Sequence, residues 1–236
     1  MDMELNKLVT IVIPCKNESK IIDTTLALLN MQTNIKGVNV IIADSSDDDT
    51  PKRLKDRNND EFNLIITEGG LPSRARNNGA KLAKTPYILF LDSDIFLMDN
   101  NLLVDSIDHM MKGDNDLLTA KIRTTTKKYN YIFRIFDIIQ LIMKYVSPFC
   151  VGGFMMIDSK KFNELGGFDE QAQVSEDYLL SKQISGKRFK IMNRIIYTTP
   201  RRFENKGVLY IIKLMISSYL NRNNKKYFSE HNTYWK

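Results

Sequence analysis

The sequence predicts an α/β fold with a mostly parallel sheet flanked by helices. Two patterns carry that prediction. Short β-branched runs alternate with amphipathic stretches over the first hundred residues, joined by short polar links, which is the order of strand and helix in a parallel sheet. The polar residues that stand out fall just after the runs, where such a sheet gathers its ligand-binding groups beyond the carboxyl ends of its strands.

Leu8 to Ile13 is a buried strand stopped by Pro14. Ser19 is the expected cap of a helix that carries Ile22, Leu26 and Leu29 on one face. Val38 to Ala43 is a second strand, ending at Asp44, and Thr50-Pro51 starts a helix by cap and proline. Leu64 to Thr67 is a third strand, Gly69, Gly70 and Pro72 form a loop, and Ser73 to Ala83 a helix. Tyr87 to Leu91 is a fourth strand, ending in Asp92-Ser93-Asp94. In the less regular second half, Leu117 to Ile122 and Phe154 to Ile157 read as strands, and Tyr131 to Val146 and Val208 to Leu220 as helices. Arg222 to Lys236 reads as a basic, loosely ordered tail.

With 236 residues the chain suits one large domain with a short appendage, big enough to need no disulfide. Cys15 and Cys150 lie in apolar stretches and read as buried thiols in a reducing compartment. The net charge of +6 admits an acidic ligand or an anionic membrane surface; no nucleic-acid motif accompanies it, so no nucleic-acid partner is expected. Met1 to Lys7 has no apolar signal core, and no uncharged run of roughly eighteen residues offers a membrane span. The expected location is the cytoplasm, with peripheral attachment to the cytoplasmic face of the membrane as an option.

Several groups could carry chemistry. Asp92 and Asp94, at i and i+2 after an apolar strand, can share one hard cation, Mn²⁺ or Mg²⁺, while leaving positions for phosphate oxygens; the bland reading is a solvated turn. The acidic loop Asp44 to Thr50 fails the EF-hand pattern, with Asp49 and Lys55 where Gly and Glu belong, and leaves Asp44 at a strand tip where it could accept from a base N–H. Arg76 can pair with carboxylate or phosphate, against an exposed basic helix face as the alternative. Glu176-Asp177 is either a general base at a helix start or acidic enrichment favoured by the helix dipole. Arg201-Arg202 is either a diphosphate clamp or a solvated charge pair. His109 receives no role, and His231 is kept only as an extra metal-ligand candidate.

These pieces, in order, resemble the inverting family 2 glycosyltransferases of GT-A fold: Val12 to Glu18, Ile42 to Thr50, Arg74 to Ala80, Phe90 to Asp94, Gly166 to Glu170 and Glu176-Asp177, spanning roughly residues 8 to 185. The resemblance implies a Rossmann-like nucleotide-binding half (1–100) and an acceptor half (101–206) within one domain, followed by an amphipathic helix and basic tail (207–236). It implies that Pro14, Asn17 and Glu18 line the nucleotide pocket and Asp44 contacts the base. Arg76 would lie near the base or phosphates, Asp94 would bind the metal, and Asp92 would lie nearer the ribose or sugar while able to share that metal. Asp177 is implied as the acceptor-activating base, with Glu176 beside it. Ser45 departs from the family pattern, which leaves UDP versus GDP open, and the Gln-x-x-Arg-Trp motif of processive synthases is absent.

The expected activity is metal-dependent transfer of a sugar from a UDP- or GDP-linked donor to a hydroxyl acceptor. A sugar nucleotidyltransferase and a non-catalytic nucleotide-sugar sensor or membrane scaffold are the alternatives; the former wants a Gly-rich phosphate loop where this chain has Pro14 to Glu18. Tyr131 to Val146, with a narrow polar stripe of Arg134, Asp137, Gln140 and Lys144, and Val208 to Leu220 are flanked by Lys127, Lys128, Arg222, Lys225 and Lys226. They fit either an anionic membrane surface, with a lipid-linked acceptor as corollary, or burial against the core or in a homodimer.

Overall fold

The computed structural model describes residues 3–58 and 60–230. Its elements run α1 (Leu5–Leu8), β1 (Val9–Cys15), α2 (Ile22–Asn30), β2 (Asn39–Asp44), α3 (Thr50–Lys55), β3 (Asn63–Glu68), α4 (Pro72–Ala80), β4 (Tyr87–Leu91), β5 (Ile95–Phe96) and α5 (Leu102–Gly113). The second half continues with β6 (Leu117–Thr124), α6 (Asn130–Met143), β7 (Phe154–Asp158), α7 (Ser159–Glu164), α8 (Glu176–Ser181), β8 (Phe189–Thr198), α9 (Arg201–Lys206), α10 (Val208–Leu220) and α11 (Lys225–Glu230). The strands form one sheet in the order β3-β2-β1-β4-β7-β6-β8-β5.

The first four strands pair in parallel, as their β-branched alternation with helices requires. Period-two alternation splits the core between the two faces. Val9, Ile11 and Ile13 of β1 and Leu89 and Leu91 of β4 meet α2 and α5 on one face. Val12, Ile88 and Phe90 meet Phe162, Phe168 and Leu180 on the other. Gly79 of α4 backs directly onto Val12, and a Cβ there would lie 2.3 Å from a Val12 methyl, so only glycine lets the helix approach β1 so closely.

The second half breaks the parallel rule in a way that builds the site. β7 runs antiparallel to both β4 and β6, with Phe154 opposite Leu91. The chain therefore enters β7 at the end where β4 finishes, which sets Gly152 and Gly153 beside Asp92. β8 pairs in parallel with β6, with a register shift at Ala120/Lys121. Ile95 of β5 faces Thr198 of β8, and that pairing delivers Thr198, Thr199 and Arg201 to Asp94.

Some elements differ from expectation. Ser19 does not cap α2, whose N-cap is Ile21; the Ser19 N–H instead donates to Asp48. Thr50 is the first helical residue of α3 and Asp49 its cap, one position earlier than expected. The loosely ordered tail is corrected as far as Glu230: α11 forms, and Phe228 is buried against Ala172 and Val174. His231, Tyr234 and Trp235 lie outside the described residues.

The helix predicted over Tyr131 to Val146 forms as α6 but ends at Met143, three residues short, and its orientation is the surprise. Two members of the polar stripe face the protein: Gln140 is buried and donates to the Phe149 carbonyl at 2.8 Å, and Asp137 pairs with Arg123 at 2.6 Å. Tyr131, Ile135, Ile138, Leu141 and Ile142 face outward, Ile142 being 66% exposed. Burial of that stretch against the domain's own core is thereby excluded for these side chains. No helix among the described residues is long and apolar enough to cross a membrane.

Candidate active site

The carboxyl ends of β1 and β2 are tied together by the acidic loop. Asn17, held at φ +57°, donates its N–H to Ser46 Oγ and accepts from the Asp47 N–H. The Glu18 N–H donates to Thr50 Oγ1, and the Asp48 carboxylate accepts from the N–H groups of Ser19 and Thr50. These bonds hold the Asp48 carboxyl down at about 2. Asp44 accepts from the Ser46 hydroxyl at 2.6 Å, and the Gly69 N–H donates to the Asp44 carbonyl. A Cβ on Gly69 would lie 2.6 Å from the Asp44 carbonyl carbon, which explains glycine at that position. Pro14, partly exposed, pairs with Ala43 inside β1, so the strand is not stopped there as expected but runs on to Cys15.

Next along the edge, Arg201 Nη2 lies 3.0 Å from Glu18 and 3.4 Å from Asp94. The Thr198 and Thr199 hydroxyls donate to the same Asp94 oxygen at 3.4 and 3.3 Å. Burial raises the Glu18 carboxyl while Arg201 pulls it back down. Asp94 and the two hydroxyls offer only oxygen donors, which suit a hard cation, and Asp92 lines the same cavity. Among the described residues no three His, Cys, Asp or Glu gather as a ready-made metal cage. Asp94, with Asp92 lining the same cavity, would offer one or two carboxylates to a Mn²⁺ or Mg²⁺ ion.

Deeper in the crevice sits a buried charge cluster. Arg76 is 2% exposed, so the exposed basic face applies to Arg74 and not to Arg76. Its guanidinium forks between Asp92 at 2.7 Å and Glu176 at 2.5 Å, with the Phe168 ring 5.4 Å away. Burial acts against the guanidinium's charge, but Asp92, Glu176 and Asp177 outweigh it and raise its proton affinity. Glu176 is itself buried, an anchor for Arg76 rather than a solvated acid at a helix start.

Asp177 is held from both sides: the Gly152 N–H donates to Oδ2 and its neighbour's Tyr178 N–H to Oδ1, each at 2.7 Å. Burial, and then repulsion from Glu176, push its carboxyl up to about 6, against the pull of Arg76 and the two N–H groups. Asn77 keeps the double-glycine turn in place, donating to the Phe168 carbonyl and accepting from its N–H. Asp92, Asp94, Arg76, Glu176, Asp177 and Arg202 all line one cavity of about 480 Å³.

Sequence reasoning missed Gly152, Thr198 and Thr199. A Cβ on Gly152 would lie 2.6 Å from Arg76 Nη2, so glycine is needed for the guanidinium and the Asp177 contact together. The only sequence signal was two consecutive glycines ahead of the apolar run Phe154 to Ile157. Cys15 and Cys150 are buried free thiols, both raised by burial above the ordinary thiol value.

A mixed α/β sheet flanked by helices, with acidic groups gathered at its strand ends, is the architecture of the GT-A fold, and solved structures agree on it. The mannosyltransferase PcManGT from Pyrobaculum calidifontis, solved with GDP-Man and Mn²⁺, superposes with a TM-score of 0.73 at 16% identity, over 91% of this chain and 64% of that one. S. aureus TarS 1-349 in complex with UDP-GlcNAc superposes with a TM-score of 0.64 at 18% identity, over 95% and 71%. Residues 10–166 match the family described as Glycosyl transferase family 2, and the chain belongs to that family. Amylovoran biosynthesis glycosyltransferase AmsB of Erwinia amylovora is 37% identical over 91 residues, 36% of this chain and 30% of that protein. Validoxylamine A glucosyltransferase of Streptomyces hygroscopicus subsp. jinggangensis is 31% identical over 93 residues, 37% of this chain and 22% of that protein. The matches thus span less than a third of the curated relatives' length.

Proposed function

We propose that this chain transfers a sugar from a UDP- or GDP-linked donor to a hydroxyl acceptor by direct displacement, inverting the anomeric centre. The observation that carries this reading is Asp177: a partly buried carboxylate positioned by two N–H groups, poised at about 6, in the same cavity as Asp92 and Asp94. A base near the working pH is what removal of an acceptor proton requires.

The chain's own residues divide the work. Pro14, Asn17, Glu18 and Asp44 line the nucleotide end. Arg201 and Arg202 face the diphosphate, where cations offset the charge that grows on the leaving group. Arg76 holds Asp92 towards the sugar and, through Glu176, fixes the start of α8, so that Asp177 meets the acceptor. Asp94, assisted by Asp92, would hold a Mn²⁺ or Mg²⁺ ion, which would add to the neutralisation of the diphosphate. The 1–100 half serves the nucleotide and the 101–206 half the acceptor, with 207–236 as an appendage. The same reading includes a lipid-linked acceptor and peripheral contact with an anionic cytoplasmic membrane surface, a homodimer being the competing use of the apolar helices.

The test is a calorimetric screen of UDP- and GDP-sugars with Mn²⁺ and then with chelator. Wild type is expected to bind one donor class in a metal-dependent manner and to convert it, with acceptor, to the nucleoside diphosphate. Asp94→Ala is expected to weaken that binding at least tenfold with the melting temperature nearly unchanged, because Asp94 is partly exposed at a strand end. Equal affinity with metal and with chelator would refute the metal-bridged site.

A further inference from the structure

The cavity that holds the acidic cluster does not end there. From Asp177 and Gly152 it runs between two helices, walled by Phe133, Phe136 and Met143 of α6 and Ile211, Ile212 and Met215 of α10. Ile139 and Ile216 line it as well and are 39% and 55% exposed, so the chamber opens onto the outer surface at an apolar rim. Around that opening the outward side of α6 continues the apolar surface through Ile138, Leu141 and Ile142 to Tyr145 and Val146, and α10 adds Leu209 and Leu220. An apolar face this continuous, with the helix's polar Gln140 and Asp137 turned inward, is stable in water only when something covers it.

Charge identifies the cover. Residues 206–229 carry five cations, Lys206, Lys213, Arg222, Lys225 and Lys226, and no acid. Residues 127–146 add Lys127, Lys128, Arg134 and Lys144, and their one acid, Asp137, is paired inward with Arg123. Apolar surface among cations matches the interface of an anionic bilayer, where acyl chains lie below phosphates. A second copy of the chain could cover the rim, but it would seal a passage that leads to Asp177 without filling it. A water-soluble glycan would find few hydrogen-bond partners along walls made of Phe, Ile and Met.

We infer that this chamber receives the hydrocarbon chain of a lipid-borne acceptor, drawn from the bilayer between α6 and α10, with the acceptor hydroxyl presented at its inner end to Asp177. The inference rests on the transferase reading and names its acceptor class. The cavity as a whole, acidic cluster and apolar arm together, measures about 480 Å³, within the range of small-molecule pockets.

The probes are butyl, hexyl, octyl and decyl phosphate, titrated calorimetrically below their micelle concentrations into the full chain. UDP and GDP with Mn²⁺ are titrated in parallel. Burial of the chain in an apolar chamber predicts affinity rising about fourfold per methylene over the shorter members. Ile212→Trp and Met215→Trp, each filling the chamber, should flatten that series and leave nucleotide binding intact. Nucleotide binding with no dependence on chain length in the wild type would remove this inference and leave the transferase. The same holds for a chain-length dependence that survives both tryptophan variants. Absence of nucleotide binding to the wild type would remove the transferase reading and the acceptor assignment with it. A stable dimer that Ile142→Lys makes monomeric, with a flat alkyl series, would give the face to a second copy.

Discussion

Asp177→Asn is the most informative substitution. It keeps the side-chain volume but removes the proton acceptor. In the native site two N–H groups, of Gly152 and Tyr178, donate to the two carboxylate oxygens at 2.7 Å each. Asparagine offers one oxygen and one NH₂, so one of these donors loses its partner, at a cost of about 1–3 kcal/mol. Loss of repulsion against Glu176 offsets part of that. Arg76 retains Asp92 and Glu176, so the fold should persist. Loss of a general base costs about 10²–10⁴ in rate, or roughly 3–5 kcal/mol of barrier. The assay is the initial rate of sugar transfer at saturating donor and acceptor, with donor affinity measured separately; kcat should collapse and donor affinity stay within a few-fold. The pH profile adds a second check. A base must be unprotonated, so wild-type kcat should fall about tenfold per pH unit below about 6, while the variant's residual rate stays flat. Stability carries the linked sign: the folded carboxyl binds its proton more tightly than the ordinary value of 3.8, so this group's contribution is complete below that value and is lost as pH rises through about 6. Near wild-type turnover by Asp177→Asn at neutral pH, or a wild-type rate that holds steady well below pH 6, would refute the assignment.

Glu176→Gln breaks a buried ion pair with Arg76 and should destabilise the protein by on the order of 3 kcal/mol, seen as a fall of roughly 10 °C in a thermal melt. A melt unchanged from wild type would mean the pair contributes nothing. Gly152→Ala places a methyl 2.6 Å from Arg76 Nη2 and should lower kcat at least tenfold, with donor affinity retained; unchanged turnover would show that the close approach of Arg76 to the Gly152 backbone is dispensable. In liposome flotation the protein should rise with anionic vesicles and less with neutral ones, and Ile138→Glu combined with Ile142→Glu should abolish the anionic preference. Equal flotation with both lipids would count against charge-assisted docking.

The strands that frame the nucleotide end were legible because local chemistry sets them. Tyr87 to Leu91 alternates inward residues on two faces and stops at Asp92, and the structure ends β4 there. β8 was not legible: Asn193 and Arg194 interrupt its apolar run where the sheet carries its register shift, so no clean alternation survives. α5 was passed over despite its buried Leu102, Leu103, Ile107 and Met110, and a tail read as loose is ordered through Glu230 because Phe228 finds a pocket between Ala172 and Val174.

By itself the sequence determined the parallel half of the sheet, the order of the motifs and the residue types gathered at the strand ends, because all of these follow from short-range periodicity and turn chemistry. Tertiary structure alone decided who meets whom. Arg76 bridges Asp92 and Glu176 across a hundred residues, and the antiparallel entry of β7 sets the Gly152 N–H against Asp177. It also decided which side of α6 faces out. The hydrophobic pattern states that a helix has two unlike sides, but the inward side is chosen by the partners waiting there, and here the Phe149 carbonyl and Arg123 took the polar side.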